Sequence, residues 1–296
     1  MSEHYPRIRI NSQKGVLRIR ESVSITFYMK RSHQEVVHQV LNALDVYRRA
    51  VGPQALTSYP HPYNETWYEL DDEGWAYIRQ HMLEEPAVSP WLCSETLEYA
   101  FLYDGLLLEI YEGDPASQVS FYLPTEYLEE HGPGRVRELA LELAAVLPVN
   151  SGHAGLCFHF PETLMGITRP IHDLAFRYPG MDIPGASSSA SAIGTRVDGV
   201  HWLNFLGPPV LRELGGAAGL RARLSSPGTT VQELDGERVV VTLGKQPEAG
   251  DMEQGHPLPA YRELARVLEP WMYMNRCILD GFSEEDMLRW QRRFLD

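Results

Sequence analysis

The sequence predicts an α+β fold, mostly antiparallel sheet with helices packed on one face. Three observations carry this. The stretch Gly132–Phe160 writes an amphipathic helix that turns straight into a short apolar strand, and such a helix has to lie on a sheet. Two Asp-Gly pairs, Asp104-Gly105 and Asp235-Gly236, each separate apolar runs, the strongest short-range hairpin signal. The order strand, helix, Asp-Gly hairpin, helix also occurs twice, which predicts two pseudo-repeated halves. The expected organisation is an N-terminal half over residues 1–160, a linker region over 161–194 and a C-terminal half over 195–296, packed as one compact unit.

Residues 1–15 read as an irregular lead-in. Val16 to Met29 then alternate apolar and polar residues as one or two half-buried strands do. Ser32 and Glu35 form a capping box for a helix whose broad apolar face is Val37, Val40, Leu41, Leu44 and Tyr47, stopped near Gly52-Pro53. Residues 51–70, rich in Pro, Tyr and Asn, read as a long surface connection. Asp71-Asp72-Glu73 suit a first helical turn, with that helix running to about His81. Two strands are expected on either side of Asp104-Gly105, and a third over Val119–Leu123. Pro133 opens the central helix, Val136, Leu139, Ala140, Leu143 and Leu147 form its stripe, and Pro148 ends it. Ala154–Phe160 is the buried strand.

Residues 161–194 hold Pro, Gly and a serine tract, which is loop chemistry. Beyond them come a strand over Val197–Phe205, a short helix after Pro208-Pro209, and the hairpin around Asp235-Gly236. Pro259 opens a helix with the stripe Tyr261, Leu264, Ala265 and Leu268, and Ser283 with Asp286 caps a terminal helix. Gly215-Gly216-Ala-Ala-Gly219 reads as the break between two short helices.

Composition narrows the function class. Hydrophobic residues at 44% and charged residues at 22% describe an ordinary globular chain. The formal net charge of −14 argues against direct contact with nucleic acid, which needs a basic face, and suits a basic partner. No run approaches the roughly 18 apolar residues that cross a membrane. The first residues lack a signal-peptide pattern, and three cysteines are too few and odd in number for a disulfide framework. A cytoplasmic protein is expected.

No concentrated catalytic signature is present: no G-x-S-x-G elbow, no P-loop, no complete dinucleotide fingerprint. No cofactor is expected. His153, Cys157 and His159 share strand parity and face one way, a donor set that suits zinc, but no further ligand accompanies them. Cys157 reads equally as a small buried hydrophobe. The acidic clusters Asp71-Asp72-Glu73 and Glu84-Glu85 flank a segment inserted relative to the second half, beside Tyr59, Tyr63, Trp67 and Tyr68. Aromatic residues ringed by charge suit a partner-binding surface. They suit a covered core edge equally well.

Six stretches carry a family resemblance: SITFYMK, VSFYLPTEYLEEHGP, LPVNSGHAGLCFHF, RYPGMDIP, GTRVDGVHWLNFLG and LSSPGTTVQELDG. They resemble the type VI secretion immunity family associated with VRR-type nuclease effectors, from about Val16 to Trp290. The resemblance implies a protein that binds a cognate toxin in the cytoplasm and blocks it. Together with the net charge of −14 it suggests a stoichiometric inhibitor that covers the toxin's active site. It implies no catalytic residues. A non-inhibitory adaptor for the secretion machinery and a metal-dependent enzyme built on His153, Cys157 and His159 are the alternative readings.

Overall fold

The computed structural model describes residues 4–61, 66–161, 166–184, 190–275 and 277–296. The strands are β1 (Arg9–Asn11), β2 (Leu17–Met29), β3 (Ser58–Pro60), β4 (Trp67–Glu69), β5 (Trp91–Cys93), β6 (Ala100–Asp104), β7 (Ser117–Pro124), β8 (Ser151–His159), β9 (Met181–Asp182), β10 (Leu203–Leu206), β11 (Thr229–Glu233) and β12 (Val239–Leu243). The helices are α1 (His33–Val51), α2 (Asp72–Glu84), α3 (Thr125–Val146), α4 (His172–Arg177), α5 (Val210–Glu213), α6 (Gly216–Arg223), α7 (Pro259–Leu268) and α8 (Glu284–Gln291).

All the strands form one sheet in the order β11-β12-β10-β8-β2-β7-β6-β5-β3-β4, with β1 against β2 and β9 against β8. Every described pairing of these strands is antiparallel except that of β8 with β9. The α+β class is therefore as the sequence predicts. β2 sits at the centre because its alternation serves two buried faces at once. Ile19, Val23, Ile25, Phe27 and Met29 enter the main apolar core, while Ser22, Ser24, Thr26 and Tyr28 point to the opposite, more polar face.

The long helices α1 and α3 cover the apolar face. Tyr47 of α1 packs on Phe121 at 5.2 Å, and its hydroxyl donates to the Tyr122 carbonyl. α3 is interrupted at Gly132, whose φ of 77° lies in the left-handed region that glycine tolerates. Pro133 restarts it, as expected, and Val136, Leu139, Ala140, Leu143 and Leu147 are all buried. Gly152 has a second use of glycine. A Cβ there would stand 2.6 Å from the Phe27 ring, and its absence lets Phe27 meet Phe205 edge-on at 5.1 Å across β8.

Several expectations change. The Asp104-Gly105 pair does not turn a hairpin: β6 ends there, Gly105 forms a bridge with Val88, and Leu108–Ile110 is a short 3-10 helix. A Cβ on Gly105 would lie 2.5 Å from His33 Nδ1 and 2.7 Å from the Tyr103 ring. This glycine therefore serves close packing, not positive φ. The Asp235-Gly236 hairpin is present, with Glu233 opposite Val239, Gly236 at φ 81° and Asp235 accepting from the backbone of Arg238.

Residues 51–70 are not all connection, since β3 and β4 pair there as a hairpin. The lead-in contributes β1, held because Ile8 N–H donates to the buried Glu21 carboxylate at 2.8 Å. The 161–194 region is not structureless either: it supplies α4 and β9, and β9 is drawn in by pairing with β8. The strand expected over Val197–Phe205 shortens to β10. The pseudo-repeat is not confirmed. Eight strands precede Pro161 and three follow Gly194, all joined in one sheet through β8 and β10.

Candidate functional site

Two places collect chemistry: the outer edge of the sheet at β4, and a polar centre on the face opposite α1 and α3.

At the edge, Tyr59 is buried and stacks between Tyr68 at 5.9 Å and Tyr77 at 5.8 Å. Trp67 meets Trp91 edge-on at 5.0 Å. Trp67 and Tyr68 nonetheless keep 47% and 43% of their surface open, unusual for large aromatic side chains. α2 begins directly beside them. Asp71 is its N-cap, accepting from Gly74 N–H at 2.9 Å, and a Cβ on Gly74 would lie 2.6 Å from the Glu69 carbonyl. That close approach sets the first turn against β4. Arg79 anchors the helix to Asp45 of α1 at 2.5 Å, and Arg48 lies over the Trp75 ring at 3.6 Å.

The structure therefore brings Trp67 and Tyr68 together with Asp71, Asp72 and Glu73. Asp72 and Glu73 are exposed, as is Asp71. Glu84 and Glu85 lie at the other end of α2, about 18 Å away at 1.5 Å per residue. There Glu84 accepts from Gln80, and Glu85 closes the helix by donating its N–H to the His81 carbonyl. Tyr63 lies outside the described residues. Trp67 also lines a groove of about 440 Å³, together with Val16, Leu17, Trp91 and Leu97.

His153, Cys157 and His159 do share a face of β8, but they do not form one site. At about 3.3 Å per residue, Cys157 is roughly 13 Å and His159 roughly 20 Å from His153. Cys157 is fully buried in a small cluster with Cys93, Ala100 and Tyr122, and burial pushes its thiol far above the usual range. It is a small apolar residue here. His159 stacks on Tyr122 at 4.3 Å, and burial, with Arg20 nearby, pulls its pKa down to about 3.

His153 instead joins two residues that strand parity does not reveal. Its ring stacks on His201 at 3.8 Å between centroids. Asp182 of β9 lies between the imidazoles, its Oδ2 3.8 Å from His153 Nε2 and 3.4 Å from His201 Nε2. All three are nine-tenths or more buried. Burial, reinforced by His201, holds His153 well below its ordinary pKa. Burial opposes the charge on Asp182, but His201, His153 and Arg293 overcome it and hold the carboxyl well below the usual carboxylate range. Arg293 approaches the other Asp182 oxygen at 3.7 Å and donates to the Pro179 carbonyl. Asp198 nearby accepts from the Tyr28 hydroxyl. Neither ring nitrogen of His201 makes a well-formed hydrogen bond among the described residues, although both are buried. Two imidazoles and a carboxylate converging in this way form a donor set able to hold a transition-metal ion.

Asp182 and His201 were not legible as partners of His153. The available signal was a charged residue between Met181 and Ile183 in an apolar run, which suggests a carboxylate carried into the interior.

Comparison with known proteins places the chain. A family model described as type VI immunity for VRR-NUC matches residues 39–294. The fold is similar to that of the Pseudomonas aeruginosa T6SS protein PA0821, with a TM-score of 0.82 and 21% identity over 97% of this chain and 87% of that one. No curated protein matches.

Proposed function

The chain belongs to the TsiV family of type VI immunity proteins for VRR-NUC, and we propose that it binds a cognate VRR-type nuclease toxin in the cytoplasm and blocks it stoichiometrically, without catalysis of its own. No helix among the described residues is long and apolar enough to cross a membrane. A nuclease cleft is shaped for phosphates and is commonly electropositive, so an acidic surface entering it gains in encounter rate and discrimination. The excess of 40 acidic over 26 basic residues supports a partner of that kind.

The observation that carries the choice of surface is the open pair Trp67 and Tyr68 on the outermost strand, next to the exposed carboxylates of Asp71, Asp72 and Glu73. Aromatic anchors inside a charged rim are the usual composition of an interface centre. Glu84 and Glu85 belong to the same proposal as the far rim, since α2 separates them from the anchors. Tyr63 stays in the proposal on its sequence position alone.

The test is co-expression with the toxin encoded beside this gene, followed by pull-down and an assay of DNA integrity. Survival with an equimolar complex and intact DNA is expected. Trp67→Ala should weaken the complex by about 30-fold, about 2 kcal/mol. Amides at Asp71, Asp72, Glu73, Glu84 and Glu85 should slow association and flatten its salt dependence. A complex in cells whose DNA is still degraded would make the protein an adaptor and overturn inhibition. Unchanged affinity in both variant sets would place the interface elsewhere.

A further inference from the structure

We propose that His153, Asp182 and His201 form a binding site for a divalent transition-metal ion of the zinc class, which ties β8, β9 and the segment leading into β10 together. His201 is buried with its hydrogen-bonding capacity poorly met. Its Nε2 has only the Asp182 carboxylate at 3.4 Å, outside good hydrogen-bond geometry, and its Nδ1 forms no hydrogen bond among the described residues. That is a costly arrangement for a buried polar group. Both imidazoles and the carboxylate lie around one point, their ligating atoms all within 4.8 Å of one another.

The spacing suits a small ion. Tetrahedral coordination at bond lengths near 2.0–2.1 Å separates neighbouring ligand atoms by about 3.3 Å. The two imidazole–carboxylate separations are 3.4 and 3.8 Å, so these two contract by at most a few tenths of an ångström on ligation, and no pair of ligating atoms is more than 4.8 Å apart. The nitrogen-rich donor set favours zinc, cobalt or nickel over magnesium or calcium, which prefer oxygen. Asp182 brings a carboxylate to this centre, with the single guanidinium of Arg293 3.7 Å from its other oxygen. The parallel stacking of the rings is the part that must change, since each imidazole lone pair lies in its ring plane. Ligation therefore requires the His201 ring to tilt out of the stack while its Nε2 stays beside the Asp182 carboxylate. A cavity of about 50 Å³, lined by Asp182, Asp198, Asn275 and Cys277, adjoins the carboxylate and is large enough for a water.

The experiment uses the untagged full chain carrying Cys277→Ser, which removes the exposed thiol as a competing ligand. Chelator-stripped protein is titrated with Co²⁺ and Zn²⁺, following the visible absorption of bound cobalt, metal content after gel filtration, and the melting temperature. Equimolar uptake with tetrahedral-type cobalt absorption and a raised melting temperature is expected, with the absorption lost in His153→Gln and in His201→Gln. Absence of stoichiometric uptake by the parent chain overturns the inference, whether or not the variants fold. Uptake that both histidine variants retain overturns it too, because the ion is then held elsewhere. Since the readout is metal, its failure leaves the immunity proposal intact.

Discussion

Acidification should destabilise this protein through His159 in a way that one substitution removes. His159 is buried against Tyr122 and stays neutral until about pH 3, whereas the same imidazole in the unfolded chain takes a proton near pH 6.5. Its folded pKa is depressed, so the unfolded state binds the proton first. The stability is fully present above about pH 6.5 and declines as the pH falls towards 3. Each unit in that window costs about 1.4 kcal/mol. Between about pH 7.5 and pH 5.0 some 1.5 units lie inside it, so His159 alone should cost about 2 kcal/mol. His153, also buried and neutral, acts in the same direction, and the variant therefore isolates one contribution from a larger total. In His159→Phe the ring stack is kept, and the Nδ1 that lacks a hydrogen bond in the parent is removed. Urea unfolding at both pH values measures the four free energies. The loss on acidification should be about 2 kcal/mol smaller in the variant, with the two proteins within about 1 kcal/mol of each other at the higher pH. An equal loss in both would mean that His159 is hydrated or already charged in the folded state, and would refute the reasoning.

Two further perturbations probe the frame that positions the sites. Glu21 is fully buried and accepts from Ile8 N–H, Thr125 and Arg7, so Glu21→Ala should cost about 3 kcal/mol and release β1, seen as faster amide exchange at Ile8. Protection unchanged at Ile8 would show that β1 is held by other contacts. Leu143→Ala, in the fully buried stripe of α3, should cost about 2–5 kcal/mol by chemical denaturation, and a loss under 1 kcal/mol would mean that the helix is not seated on the sheet as described.

How much of the protein can be read without coordinates depends on the range of the physics involved. Caps, breaks and stripes are local. Ser32 with Glu35 and Ser283 with Asp286 meet within one helical turn, Gly132 and Gly215 interrupt helices by backbone conformation alone, and the five stripe residues of the central helix are buried because the helical period puts them on one side. The α+β class follows from such signals, and the family kinship from extended stretches of sequence. Asp104-Gly105 shows where local chemistry misleads. The dipeptide suits a turn, but what requires glycine at 105 is the rings of His33 and Tyr103, one of them 72 residues distant in sequence.

The polar centre required the tertiary structure altogether. His153, Asp182 and His201 come from three separated segments, and no spacing in the chain encodes their meeting. It results from β10 pairing antiparallel with Ser151–Ala154 of β8 and β9 pairing in parallel with Leu156 and Cys157, both on the edge of β8 that β2 leaves open. Strand parity correctly gave His153, Cys157 and His159 a common face, but it carries no information about distance along the strand or about what lies over that face. The edge surface is intermediate. Aromatic and acidic residues close in sequence are visible as a cluster, yet only the fold separates Glu84 and Glu85 from Trp67 by the length of α2, because side-chain identity sets local preference whereas long-range packing sets which groups share a surface.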